Sequence, residues 1–245
     1  MPIEEDPSRE FFDDRLKGRF ITPVVRIQQN MLAAAERRLL TWLCARLPRW
    51  IIPDILTALG FTGSLVSAAG YALSRWHVAW LWMAIVGYFI NWFGDSLDGS
   101  LARFRMIERP TFGYFVDHST DSLGNVILIL GLGLSPFVRL DVALLGVVGY
   151  LLMSIHTFLA ARVVGEFRLS YAAAGPTELR LVLIAMTLCM LAIGPKHVFR
   201  ADLTVFDVFI GSLAALLVAL YVVQTIKIAR LLGDARADSK PGNQI

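Results

Sequence analysis

Between Asp95 and Asp121 the chain reads DSLDGSLARFRMIERPTFGYFVDHSTD. The stretch holds two pairs of carboxylates. Asp95 and Asp98 lie three residues apart and Asp117 and Asp121 four apart, so in helical backbone each pair shares one face. The intervening segment, Phe104–Phe112, is short and polar and holds Pro110. The spacing predicts two antiparallel neighbouring helices whose acidic faces meet. Like charges gathered in a water-poor cleft repel by roughly 4 kcal/mol per pair at 4 Å and an effective dielectric near 20. Divalent cations relieve that repulsion and bring chemistry with them. Carboxylate oxygens suit Mg2+, Mn2+ or Ca2+ rather than zinc, and no Cys/His cluster competes. Two such ions bridged by shared carboxylates would form a clamp for a pyrophosphate. The residues between the acids fit a phosphate ligand. Gly99 and Ala102 keep the helix thin, Arg103 offers a guanidinium one turn beyond Asp98, and Gly113 lies one turn before Asp117.

These acids must be positioned by the rest of the chain, which is strongly apolar. Of its 245 residues 56% are hydrophobic, and the mean hydropathy is +0.60. That exceeds a soluble domain's usual share. The apolar residues fall into six runs: Ile55–Leu73, Val78–Asn91 continuing through Asp95 to Leu101, Phe112–Val138, Val142–Val164, Leu179–Ile193 and Val205–Ile228. A helix crosses about 30 Å of hydrocarbon in about 20 residues. The expected fold is therefore an all-α membrane protein with six transmembrane helices. Charged residues at membrane depth are costly and mark function, which singles out the four aspartates.

The basic residues give the orientation. With six spans, 19 Lys and Arg fall on the side of the two termini and 4 on the other, Arg75, Arg139, Lys196 and Arg200. That bias predicts cytoplasmic termini and a cytoplasmic acidic site. Residues 31–50, with Leu32, Leu39, Leu40, Trp42, Leu43 and Leu47 set against Arg37, Arg38, Arg46 and Arg49, read as an amphipathic helix in the interface. The expected organisation is a cytoplasmic arm over 1–50 (its first 30 residues polar), a membrane domain over 51–232 and a disordered tail over 233–245. The first twenty residues hold no apolar segment, so no cleavable signal is expected. Cys44 and Cys189 fall in different surroundings and predict no disulfide.

The order Asp95, Asp98, Gly99, Ala102, Arg103, Gly113, Asp117, Asp121 resembles the signature of the CDP-alcohol phosphotransferase family. Nine residues separate Arg103 from Gly113, a longer spacing than the family's, and a loop residue is readily absorbed. Pro53-Asp54-Ile55-Leu56-Thr57 is similar to the family's opening of the first span, with Asp54 in place of the common Asn. The resemblance covers most of the membrane core but neither residues 1–50 nor the tail.

It implies a metal-dependent transfer of a phosphoalcohol group from a CDP-alcohol to an acceptor hydroxyl, with release of CMP. Asp95, Asp98, Asp117 and Asp121 would hold two divalent cations, Mg2+ or Mn2+. Asp121 would take the proton of the attacking hydroxyl, and Gly99, Ala102, Arg103, Gly113, Pro53 and Thr57 would line the donor pocket. His118, beside Asp117, resembles the choline/ethanolamine branch, although Tyr114 stands where that branch has Glu; a packing role is the alternative. The resemblance also implies a homodimer in a lipid bilayer of bacterial inner-membrane or endoplasmic-reticulum type. No nucleic acid polymer is expected as partner.

Six spans and modest length favour CDP-diacylglycerol with a small polar alcohol, while Asp117-His118 leans to CDP-choline or CDP-ethanolamine with diacylglycerol or ceramide. More distant alternatives are an intramembrane prenyltransferase, faintly suggested by Asn91-x3-Asp95, and a cation transporter. The first lacks a remote second acid pair; the second leaves Gly99, Ala102, Arg103 and Gly113 unexplained. Gly175-Pro176-Thr177-Glu178 reads as a helix start within reach of an acceptor pocket. Arg162, Arg168 and Arg180 read as phosphate contacts or as positive-inside anchors, and Trp76, Trp80 and Trp82 as an interface belt.

Overall fold

Proline presets the backbone angle of a first helical turn, and the N–H it lacks would have no partner there. Three of the helices begin on one. The computed structural model describes residues 25–27, 33–164, 166–168, 176–195 and 203–238. In it α1 spans Ala33–Cys44, α2 Pro53–Leu73, α3 Leu81–Phe104, α4 Pro110–Gly133, α5 Leu140–Val164, α6 Pro176–Ile193 and α7 Val205–Asp238. A 3-10 turn over Val78–Trp80 leads into α3. Two three-residue strands, β1 (Val25–Ile27) and β2 (Glu166–Arg168), pair in parallel with Val25 opposite Glu166. The pair is too short to show a period-two pattern, which is why no alternation foreshadows it.

Each of the six expected runs lies on its own helix, α2 to α7. By length and apolarity, α2, α5 and α7 are able to cross a membrane, over Pro53–Leu73, Leu140–Val163 and Val205–Gly233. The boundaries shift for local reasons. Pro53, Pro110 and Pro176 draw the starts of α2, α4 and α6 back by two or three residues. Pro136 disfavours helical backbone at Ser135, so α4 stops at Gly133 rather than at Val138. At the other end α7 runs on to Asp238, past the expected start of the tail at Gly233. Residues 1–24 of the arm, 239–245 of the tail, Gly175, Lys196 and Arg200 lie outside the described residues.

Helix α2 is the spine. Its run of small residues lets α3 come down on it backbone to backbone. A Cβ placed on Gly94 would fall on the Gly60 backbone, and its second neighbour would be the Leu56 carbonyl at 2.5 Å. On the other flank of α2, a Cβ on Gly131 of α4 would sit 2.5 Å from the Ala68 Cα, and one on Gly124 would sit 2.8 Å from the Ser64 hydroxyl. Helices that meet through glycine approach more closely than side chains allow, and in lipid such contact is a main source of adhesion. Here the expectation from sequence needs correction. Helices α3 and α4 follow one another in the chain, yet they do not pack along each other; each packs on α2, with α5 next to α4, α7 on α5 and α6 on α3. The acidic pairs therefore flank a cleft floored by α2.

The apolar core lies at the far end of the bundle from the aspartates. It joins Tyr71, Leu81, Tyr88, Leu128, Leu132, Phe137, Met190 and Phe206 from α2, α3, α4, α6, α7 and the α4–α5 turn. Its buried hydroxyls are satisfied internally: Tyr71 lies 3.1 Å from the Tyr88 hydroxyl and 2.5 Å from that of Thr187. At the start of α7 the Thr204 N–H donates to Asp207 at 2.8 Å and the Asp207 N–H donates to the Thr204 hydroxyl at 3.0 Å. This reciprocal box closes two orphan donors where α7 begins.

Helix α3 ends in a Schellman turn, in which the Ile107 N–H reaches the Ala102 carbonyl at 3.0 Å and the Met106 N–H the Arg103 carbonyl at 3.1 Å. Met106 takes the left-handed position usually held by glycine, with φ at 55°. Its side chain is 89% exposed and gives nothing back through packing. We expect Met106→Gly to raise stability by about 1 kcal/mol, the cost of a left-handed non-glycine residue, measured as a higher midpoint of thermal unfolding in detergent. In contrast, Gly94→Val forces α3 off α2 and is expected to lower stability by 3 kcal/mol or roughly more, beyond ordinary overpacking, in the same measurement.

Candidate metal and nucleotide site

Each carboxylate of the cleft has a distinct set of partners, fixed by the helix that carries it. Asp98 is the buried one, 7% exposed. Its Oδ2 accepts from the Thr57 hydroxyl of α2 at 2.8 Å, and its Oδ1 accepts the Gly99 N–H at 2.5 Å. Thr57, expected to line the donor pocket, contacts this acid from the first turns of α2, where its hydroxyl also lies 3.2 Å from the Pro53 carbonyl. Asp95, one turn earlier on α3, pairs with Arg180 of α6. The Arg180 Nε donates to Asn91 Oδ1 at 2.7 Å, and Asn91 Nδ2 donates to the Gly60 carbonyl at 3.0 Å and to the Ser64 hydroxyl at 3.2 Å. A chain of polar contacts therefore runs from α6 through α3 to the spine. Arg180 and Asp95 are 14% and 17% exposed, dry enough for their charges to need each other.

Across the cleft, Asp117, His118 and Asp121 of α4 bring ligand-type atoms within 4.8 Å of one another. The His118 Nδ1 lies 3.8 Å from Asp117 Oδ2. Its ring sits edge-on to Tyr114, with centroids 4.3 Å apart, and tilts against Phe158 of α5 at 5.7 Å. Both readings of His118, packing and chemistry, thus describe the same ring. The Asp121 carboxyl is within electrostatic reach of Asp95, Asp117 and Asp98, and of the Arg180 guanidinium. The two acidic pairs converge, although through α2 rather than through direct packing of their own helices.

The nucleotide-pocket residues of the sequence pattern lie along the same cleft end. A Cβ on Gly99 would lie 3.4 Å from the Arg103 guanidinium, which arches back over the glycine. Arg103 is exposed and holds Ser100 only at 3.5 Å, so its charge stays close to Gly99 and Asp98. Ala102 is half-buried on the same helix. Gly113, in the first turn of α4, faces open space, with nothing within 4 Å of where a Cβ would be. Pro53 opens α2 next to Asp54, whose carboxylate pairs with Arg109 of the α3–α4 connection. Both partners are half-exposed, so the pair adds roughly 0–1 kcal/mol and chiefly orients the connection.

Sequence reading missed three participants. Arg180 appears there only among anchors and phosphate contacts, Asn91 only as a faint acidic motif, and Glu36 not at all. Glu36 on α1 accepts from Trp92 and Ser96 of α3 and from Thr177 of α6. The signal available for Arg180 and Asn91 is a polar side chain inside an apolar run. Arg162 lies exposed at the end of α5, and Arg168 belongs to β2.

The amphipathic segment is helical over Ala33–Cys44, and its apolar face splits. Leu40 and Cys44 bury against Leu56, Leu97 and Leu101 of α2 and α3, while Trp42 stays 52% exposed with Arg46 stacked on it at 3.8 Å. Burial pushes the Cys44 thiol above its ordinary value, against the pull of Arg105 and Arg103. Cys44 and Cys189 are both free.

The donor set fits hard divalent cations. Among the described residues the gathered ligand atoms are those of Asp117, His118 and Asp121 on α4, and two of the three are carboxylates, which suit such ions. Over residues 50–226 the sequence matches the family described as CDP-alcohol phosphatidyltransferase, which takes in α2 to α6 and most of α7. The chain belongs to that family. Among its relatives, archaetidylinositol phosphate synthase of Pyrococcus horikoshii is 34% identical over 104 residues, 42% of this chain and 52% of the relative. Cholinephosphotransferase 1 of Gallus gallus is 31% identical over 120 residues, 43% of this chain and 36% of the relative. Phosphatidylinositol phosphate synthase of Cutibacterium acnes is 33% identical over 86 residues, 34% of this chain and 38% of the relative. The chain thus spans about half or less of the length of these family members.

The Asp95–Arg180 pair gives a direct electrostatic test of this cleft. We expect Arg180→Met to lower stability by about 3 kcal/mol, because it strands a largely buried carboxylate. The double variant Asp95→Asn/Arg180→Met should recover most of that loss. Thermal unfolding of the three proteins in metal-free buffer reads the coupling, and additive losses would mean that the pair is not formed.

Proposed function

We propose that the chain transfers a phosphoalcohol group from a CDP-alcohol to an acceptor hydroxyl in phospholipid biosynthesis, releasing CMP. The observation that carries this reading is the cluster of Asp117, His118 and Asp121 on α4, within electrostatic reach of Asp95 and Asp98 of α3, in a member of this family. Asp95, Asp98, Asp117 and Asp121 would hold two divalent cations, Mg2+ or Mn2+, whose charge when bound offsets that of the donor pyrophosphate. Arg103 and Gly99 accept the donor phosphates, the guanidinium by charge and the glycine by leaving room for them. Asp121 takes the proton of the acceptor hydroxyl as its oxygen bonds to the phosphorus distal to cytidine. The bond from that phosphorus to the bridging oxygen breaks, and CMP leaves with the electron pair. Thr57 keeps the Asp98 carboxylate oriented throughout.

Helices α2 to α7 are read as six spans with both termini and the cleft on the cytoplasmic side. The 19-to-4 excess of Lys and Arg supports this orientation. Trp76, Trp80 and Trp82, all exposed around the turn into α3, fit an interface belt at the opposite boundary. α1 lies at the cytoplasmic interface, with Trp42, Arg37, Arg38 and Arg46 outward.

CDP-diacylglycerol with a small polar alcohol is the favoured substrate pair. The names of the archaeal and bacterial relatives, which are inositol phosphate lipid synthases, support it. His118, seated with Asp117 and Asp121, favours a second reading, CDP-choline or CDP-ethanolamine with a lipid alcohol. The cholinephosphotransferase relative supports that alternative.

CMP release by purified protein in lipid with Mg2+ or Mn2+ tests the reading and selects between donors. We expect release with one donor–acceptor pair, and its loss in Asp98→Asn. Asp121→Asn should retain CDP-alcohol binding while turnover falls at least about a thousandfold, on the order of a lost general base plus a disturbed cation site. Turnover near wild type in Asp121→Asn would remove that residue as the base, and failure of every CDP-alcohol to bind would overturn the family reading of the cleft.

A further inference from the structure

Helix α1 sits outside the expected six-span domain, yet it and the connection that follows it are clamped to the acid-bearing helix α3. Beyond its far end, in the connection to α2, backbone carbonyls cage the Arg105 guanidinium, which lies just past the end of α3. Nη2 donates to Leu47 and Pro48, both at 3.0 Å, and Nη1 donates to Ile51 at 2.5 Å. At its near end the clamp is Glu36. One oxygen of this carboxylate, Oε1, accepts from the Trp92 indole at 3.0 Å, from the Ser96 hydroxyl at 3.4 Å and from the Thr177 hydroxyl at 2.8 Å.

The identity of those donors gives Glu36 its meaning. Trp92 and Ser96 are four residues apart on α3, so they share one face and bracket Asp95 in the chain. Thr177 lies on α6, three residues ahead of Arg180, the partner of Asp95. Two polar bridges therefore join α3 to α6 at one level. The first is Arg180, held by Asn91 and Asp95; the second is the Glu36 carboxylate. An acid is also the wrong choice for a residue whose task is to face lipid phosphates. Glu36 stands next to Arg37 and Arg38, which are exposed, while it is half-buried and turned to the bundle.

We infer that Glu36 is a positioning residue of the transfer reaction. It fixes α6 against α3 through Thr177, and so holds the Arg180 guanidinium in register with Asp95. It touches none of the reacting atoms. The inference rests on the cleft being a divalent-cation phosphotransferase site, and it adds α1 to the working part of the enzyme. A carboxylate with three donors has directional preferences that an apolar contact lacks. Removing it leaves α6 free to shift along α3, and Asp95 feels that shift through Arg180. The donor-pocket residues Gly99, Ala102 and Arg103 lie farther along α3 and are not reached by this bridge.

Two readouts on the full-length protein in lipid test the inference: Mn2+ affinity, by titration with electron paramagnetic resonance, and kcat and KM for CMP release. In Glu36→Ala we expect Mn2+ affinity to fall about tenfold and kcat by 10- to 100-fold, roughly the range seen when outer-shell partners of a metal site are lost. KM for the donor should stay within about twofold, because the bridge does not reach those residues. Glu36→Gln keeps an accepting oxygen and should recover most of both losses. Thr177→Val should move both readouts the same way to a smaller extent, and Glu36→Ala/Thr177→Val should be no worse than Glu36→Ala alone. Should Glu36→Ala fail to fold, Thr177→Val and Glu36→Gln carry the comparison.

A lowered unfolding midpoint with wild-type Mn2+ affinity and kcat would make Glu36 merely structural and overturn the inference. So would losses that add in the double variant, or no recovery in Glu36→Gln. Absence of Mn2+ binding and of CMP release in the wild-type protein would instead overturn the reading of the cleft, and this inference with it.

Discussion

The backbone contact between α2 and α3 at Gly60 and Gly94 is the constraint on which the rest of this structure depends. Water cannot drive helices together inside a bilayer, so shape and hydrogen bonding must do so. The small residues of α2 meet that need on two sides at once. They seat α3 through Gly94 and α4 through Gly124 and Gly131, and they keep the two helices from lying on each other. The cleft between the acidic pairs is the consequence. Had α3 and α4 packed face to face, the carboxylates would close on one another and leave no room for a pyrophosphate.

Charge is placed as economically as shape. The dry, aromatic core occupies the end of the bundle away from the cleft. The acids are therefore confined to the other end. Within the cleft each acid has a different restraint. Asp98 is held by a hydroxyl and its neighbour's N–H, Asp95 by a guanidinium, and Asp117 and Asp121 sit with His118. Arg180 is central to these restraints, since its guanidinium is also within electrostatic reach of the Asp121 carboxyl.

The helix that looks most peripheral in the chain is tied to the acid-bearing helix α3 and to α6. α1 packs Leu40 and Cys44 against α2 and α3 and keeps Trp42 outward. The helix and the connection that follows it are held by unlike chemistry, Glu36 on side-chain donors and Arg105 on backbone carbonyls. Backbone carbonyls tolerate substitution around them; side-chain donors do not. The two clamps are thus expected to differ in how narrowly they constrain residue choice.

The family and the helical architecture were legible in the sequence, and so was the sharing of a helix face within each aspartate pair, because each rests on short-range spacing. Asp95 and Asp98, or Asp117 and Asp121, share a face by helix geometry alone, and Pro53, Pro110 and Pro176 mark helix starts wherever they fold. Runs of apolar residues announce helices for the same reason. Only the tertiary structure decided what each polar side chain meets. Thr57 turned out to hold Asp98 across 41 positions of chain, Arg180 to hold Asp95 across 85, and Glu36 to reach Thr177 across 141. No periodicity encodes such pairings. They depend on which helix faces come together, and that was settled by how closely Gly60, Ser64 and Ala68 let α3 and α4 approach the spine.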